Sequence, residues 1–278
     1  MLKKFHLRRK NNRSLKLDYL SSIFQGALGE SPEEARILTH KWTEYRKDNE
    51  NTWLKAATFS HAESMSFSNS IIMHDEHLLR NFVDSCSAGI VLQTIHMGDY
   101  LHCILKILSI ISRRKVLIVR KKEWSREEGI AFAKISATGH EVLTIRHGPT
   151  AAKSVVGELR KGSIAVLLYD LSKRWGKTLP VNIFDNQLYW VSGPLQMALL
   201  AKSCVIPFYT FEKEGVHICE LGSVRDYRNV DHKRSVLLHR EMQYFANTAE
   251  SYIRDHVVQW DHWNLVPEMH INNTGTTV

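Results

Sequence analysis

The stretch QTIHMGDYL (93–101) sets His96, Gly98 and Asp99 where an apolar run hands over to a segment of helical character. A histidine at such a place can take a proton from a hydroxyl, because its unperturbed pKa of about 6.5 suits acid–base work near neutrality. The same residue can equally be a structural hydrogen-bonding group. Asp99 can orient an imidazole, or simply favour the positive end of the helix that follows. Gly98 allows close backbone approach, which either a ligand or a tight strand-to-helix turn would need.

Three other apolar runs end in polar groups of useful chemistry. KVLIVR leads into Arg120 and Lys121, which could clamp a phosphate or line a solvated turn; EVLTIR ends in Arg146, and SIAVLLYD in Asp170. Ligands of open α/β sheets lie beyond the carboxyl ends of the strands. His96, Arg120, Arg146 and Asp170 are therefore expected to converge on one sheet edge. The chain has no GxxxxGK[ST], GxGxxG or GxSxG pattern, and no His/Cys/carboxylate run with metal-ligand spacing. Neither a cofactor nor a metal is expected.

The elements that would position these groups follow from periodicity. Ser31, Pro32 and Glu34 begin a helix with a capping box, and Ile37, Leu38, Trp42 and Tyr45 recur at helical spacing. Residues 1–80 read as a helical N-terminal region. From residue 88, short apolar runs alternate with helical segments of about 10–15 residues, which predicts crossover units and a mainly parallel sheet. The strands are expected at AGIVLQTI, KVLIVR, EVLTIR, SIAVLLYD, TLPVNIF and CVIPFYTF, with a long amphipathic helix over 233–257. The fold class is α/β, an open, mainly parallel sheet flanked by helices, with residues 81–278 as one continuous core.

The 278 residues carry a net charge of +8, unevenly placed: Lys3, Lys4, Arg8, Arg9, Lys10, Arg13 and Lys16 all precede the first acid, Asp18. Such an arm attracts polyanions, either an anionic membrane surface or nucleic acid. No apolar stretch approaches the roughly 18 residues of a membrane span, and no signal-peptide core follows the basic start. Four cysteines without CxxC spacing fit reduced core residues of a cytoplasmic protein.

Five blocks in order carry a resemblance. GIVLQTIHMGDYL, VLIVRKKE, LRKGSIAVLLYD, SGPLQMALLAKSCVIPFYTF and YIRDHVVQWDHWN resemble the successive motifs of the lipid A late acyltransferases, within the lysophospholipid acyltransferase superfamily. The resemblance covers about residues 30 to 263. It implies an enzyme bound peripherally to the cytoplasmic face of the inner membrane. Its partners would be an acyl or aminoacyl carrier protein, a lipid A-type acceptor and the anionic surface, and not nucleic acid. By position, His96 would be the base, Gly98 would hold the turn, Arg120 would face acceptor phosphate, and Asp170 would be an organising acid.

One departure is chemical. The family carries a carboxylate five residues after its histidine, and here that position is Leu101. Asp99, two residues earlier, is the expected substitute. A divergent glycyltransferase branch of the superfamily would accommodate an altered dyad, so glycyl is favoured over fatty acyl as the group transferred. A catalytically inactive relative acting as a partner protein is the other reading, and a basic nucleic-acid-binding protein a third.

Overall fold

The computed structural model describes residues 17–120, 126–148, 150–230 and 234–270. The basic arm before residue 17, Lys121 and the polar tail after residue 270 lie outside them. The first helix, α1, covers residues 17–28. It is followed by α2 (Pro32–Thr58), α3 (His61–Ser70) and α4 (Glu76–Ser85), which makes the expected helical region. The capping box at the start of α2 is formed: the Glu34 amide donates to Ser31 Oγ at 3.3 Å, and the Ser31 amide donates to the Glu34 carboxylate at 3.2 Å.

The alternating part runs β1 (Ile90–Thr94), α5 (Tyr100–Ile110), β2 (Val116–Arg120), α6 (Arg126–Ala137), β3 (Val142–Arg146), α7 (Ala151–Leu159) and β4 (Ile164–Leu168). A hairpin follows, β5 (Thr178–Ile183) and β6 (Asn186–Val191). Then come α8 (Gly193–Ala201), β7 (Cys204–Lys213), β8 (Val216–Leu221), the two-residue β9 (Arg225–Asp226), α9 (Arg234–Asp255) and the short α10 (Val266–Met269).

The main sheet has the order β3-β2-β4-β1-β7-β8, with β9 paired to the start of β7. β1, β2, β3, β4 and β7 pair in parallel, and β8 and β9 add antiparallel edges. The fold class is thus α/β with a mostly parallel sheet and N-terminal helices. Alternation along the strands splits the core in two. Val91, Ala165 and Val205 point into one cluster, while Ile90, Ile164 and Ile206 point into the other. Helices cover both faces, as buried parallel strands require.

The N-terminal helices divide between the clusters: Phe24 of α1 and Trp42 of α2 pack in the first with Trp260 and Trp263, and Leu79 and Val83 of α4 in the second. On α2 the inward face is Ala35, Thr39 and Trp42, whereas Ile37 is 48% exposed. TLPVNIF, expected as a strand, pairs with β6 in a separate two-stranded sheet outside the main one.

Candidate active site

Register alone brings two distant side chains together. β1 and β4 are parallel neighbours with Thr94 opposite Leu168, so the residues two beyond each, His96 and Asp170, leave the same edge side by side. The contact is double. The main-chain N–H of His96 donates to Asp170 Oδ2 at 2.9 Å, and His96 Nδ1 lies 2.8 Å from Oδ1. The indole N–H of Trp260 donates to Oδ2 as well, at 2.8 Å. Asp170 is fully buried, while the His96 side chain keeps 20% of its surface open.

A second histidine completes the cluster. His262 stacks on His96 with ring centroids 4.0 Å apart and planes inclined by 32°. Its Nδ1 lies 2.9 Å from the main-chain oxygen of Asp170. A carbonyl oxygen only accepts, so His262 Nδ1 bears a proton.

Burial opposes the charge on Asp170, but His96, His262 and the hydrogen bonds from both outweigh it and hold the carboxyl well below its usual range. Burial opposes the charge on His262 too, and is outweighed by Asp170, so that imidazole is pushed up. For His96 burial wins, helped by the neighbouring His262 and resisted by Asp170, and its pKa is lowered. The arrangement is a neutral His96 whose Nδ1–H donates to an ionised carboxylate. Its Nε2 lone pair is then available as a base.

His96, Tyr100 and Leu101 form part of the wall of a cavity of about 460 Å³. The cavity lies beyond the ends of β2 and β4, between α5, α7 and α8. Ile104, Ile118, Val155 and Met197 supply apolar surface, with Trp175 and Lys177 also in the wall. The size falls in the roughly 300–1,000 Å³ range of ligand pockets.

The other expected site residues fall differently. The expected pairing of Asp99 with His96 is not formed. Asp99 Oδ1 accepts the His102 amide at 3.1 Å and its Oδ2 lies 2.7 Å from His102 Nδ1. It is the cap of α5, fixed in a buried pair of its own, because the first helical turn carries its carboxylate toward α5 and away from the strand end. Gly98 does not line the cavity. It has φ +57°, and an added Cβ would collide with the main-chain oxygen of Thr210, so its close approach is to β7 and not to a ligand. Arg120 and Arg146 face each other in register at the ends of β2 and β3, on the same sheet edge as His96. The side chain of Arg120 is outside the described residues and that of Arg146 is exposed. Of the four polar groups expected to converge, only His96 and Asp170 touch among the described contacts.

His262 and Trp260 were not singled out in the sequence. Their signal was the QWDHW stretch, two tryptophans and a histidine in a turn just after the last long helix. His96, Asp170 and His262 also offer ligand-type atoms within 4.8 Å of one another, a spacing that a metal ion could use. Against that use, Asp170 Oδ2 already accepts two N–H donors, the His96 main chain and the Trp260 indole, and His262 Nδ1 donates to a main-chain oxygen. The donor set as arranged handles protons. No family model matches the chain, and a search of curated proteins finds no match.

Proposed function

We propose that this protein is a transferase that moves an acyl group from a carrier-protein thioester to a hydroxyl of lipid A or a related membrane lipid. The observation that carries this reading is the His96–Asp170 pair opening onto a largely apolar cavity. In the reaction, His96 Nε2 takes the proton of the acceptor hydroxyl as its oxygen attacks the thioester carbonyl. The C–O ester bond forms, the C–S bond breaks, and the thiolate leaves with the proton returned from His96. Asp170 keeps the tautomer that leaves Nε2 unprotonated and stabilises the imidazolium formed in passing. Leu101, at the resembled family's carboxylate position, contributes cavity wall instead.

The departure at Leu101 is what favours a glycyl donor, but the apolar lining beside His96 supports a fatty chain better. We take fatty acyl transfer as the stronger form of the proposal and glycyl transfer as its alternative. Among the described residues no helix is long and apolar enough to cross a membrane. Attachment at the cytoplasmic face would then be peripheral and rest on the basic arm.

The test is direct. Purified protein is incubated with carrier protein loaded with a fatty acyl or a glycyl group and with a lipid A-type acceptor, and the lipid is weighed by mass spectrometry. A gain equal to one acyl group supports the reading, and the size of the gain names the donor. No gain with either donor sinks it, and leaves the inactive relative as the better account.

A further inference from the structure

Two imidazoles share one carboxylate in this site, and the general-base reading uses only one of them. His96 and His262 stack at 4.0 Å, both with Nδ1 turned to Asp170. A single carboxylate balances a single positive charge. Two imidazolium rings at this separation would repel strongly in a partly buried setting, so the pair holds one cation at most near neutral pH.

The surroundings decide which ring holds it. His262 Nδ1 lies 2.9 Å from the Asp170 carbonyl oxygen and 3.4 Å from Oδ2. Asp261, next to it in the chain, accepts from Asn49 through Oδ2 at 2.9 Å, and burial pushes its carboxyl up, so Asp170 is the stronger counter-charge of the two. Arg46 and Tyr45 of α2 interact electrostatically with Asp261, and the Tyr100 ring of α5 meets His96 edge-on. His96 faces the cavity, and His262 is not part of the cavity wall. His262 Nδ1 thus faces two oxygens of Asp170, its carbonyl and Oδ2, while the His96 ring makes one contact with the carboxylate and opens onto the cavity.

We propose that His262 is a positioning residue for the base. It carries the pair's one proton charge, and so keeps His96 in the neutral, proton-accepting form at pH values where a lone histidine would already be charged. The shifts of the two rings in opposite directions, His262 up and His96 down, agree with this division. The inference rests on the reading of His96 as the base, but its central claim concerns the order of two titrations and can be measured without any substrate.

The experiment is a pH titration of the ¹⁵N-histidine-labelled full chain by NMR, with the His96 and His262 signals assigned by single substitution. The expected result is two separate steps, His96 becoming charged at lower pH than His262, with the proton of neutral His96 on Nδ1. In His262→Gln the midpoint of His96 should rise by about one pH unit, the scale on which a charge within about 4–6 Å acts. The acid limb of the pH–rate profile should move upward with it. A reversed order in the wild type, or a His96 midpoint that stays or falls in His262→Gln, overturns the proposal. Because the order of steps is read in the wild type, a misfolded variant does not rescue it. If the titrations behave as expected and no acyl donor is consumed, the coupling stands and the transferase reading is what has failed.

Discussion

Trp42 and Trp260, 218 residues apart, are joined by a hydrogen bond from the indole N–H of the first to the main-chain oxygen of the second at 2.8 Å. Through it the N-terminal helix α2 holds the turn that supplies Trp260 to Asp170, and Asn49 of the same helix holds the next residue, Asp261. Trp42→Phe keeps most of the ring and deletes the donor, leaving a buried carbonyl without a partner. The expected loss is about 1–3 kcal/mol, seen as a lower urea midpoint and accompanied by reduced transfer. A variant as stable as the wild type would show that α2 merely covers the turn.

Asp170 and Asp99 separate orientation from capping. In Asp170→Asn the carboxylate that fixes the His96 tautomer is lost, so turnover should fall by about 10²–10⁴, the range that general-base catalysis supplies. Asp99→Asn keeps a good helix cap but disturbs the buried hydrogen bond to His102 Nδ1. It should cost about 1–3 kcal/mol of stability and leave turnover per folded molecule nearly intact. Equal losses of turnover in the two variants would return Asp99 to the catalytic group.

The pH profile has a sign fixed by His96. Its pKa is lowered in the fold, so the neutral base persists below the usual histidine value of about 6.5. The acid limb of kcat/KM should therefore fall below that pH. Stability follows the same linkage. Between the two values the unfolded chain binds the extra proton and the fold does not, so this contribution is present above about pH 6.5 and is lost as pH falls. His262, raised in the fold, contributes the opposite way: its share is complete below about pH 6.5 and disappears as pH rises through the folded value. An acid limb above pH 6.5 would contradict the assignment of His96.

The cavity gives a test of the donor. Val155 on α7 is fully buried and forms part of the cavity wall. Val155→Phe would project a ring into that space. A fatty acyl transferase should then prefer a shorter chain by several carbons, read from product masses in a competition between acyl carrier thioesters. Unchanged preference, together with glycyl transfer at the wild-type rate, would favour the aminoacyl alternative.

The basic arm should supply membrane affinity through charge, at about 1 kcal/mol per Lys or Arg near an anionic surface. Removal of residues 1–16 should weaken sedimentation with anionic liposomes and flatten its salt dependence. Tight binding of the full chain to duplex DNA at moderate salt, with none to liposomes, would redirect the arm to nucleic acid.

Much of this architecture was legible before any coordinates. The runs ending at Thr94 and Leu168 are strands because unbroken apolar stretches of that length are buried on both faces of a parallel sheet, and the run ending at Arg120 follows them; the run ending at Arg146 is the edge strand, with Leu143 and Thr144 exposed. The hairpin of β5 and β6 was not legible as a separate sheet. Its turn residues Phe184 and Asp185 have φ of 55° and 56°, a conformation usually announced by glycine, and neither is glycine. His96 was found by its place at a strand end. Its partner was misassigned because nearness in sequence suggested Asp99, whereas the contact is made by strand register across 74 residues. Asp170 is legible as an acid at the same edge, but its bond to His96 depends on β4 lying beside β1, which no local pattern encodes. His262 needed still more: a turn folded back after α9 onto both strand ends.

The long reach of these contacts also bears on how the chain becomes active. The groups that meet at Asp170 come from residues 96, 260 and 262, and the turn carrying the last two is held from residue 42. A ribosome-bound chain that has exposed every parallel strand still lacks the indole and the second imidazole. Its carboxylate is then without the Trp260 donor and its main-chain carbonyl without His262. On the proposed reading the site is complete only once residues 256–263 have docked, so activity recovered after unfolding would report that docking and not formation of the sheet alone.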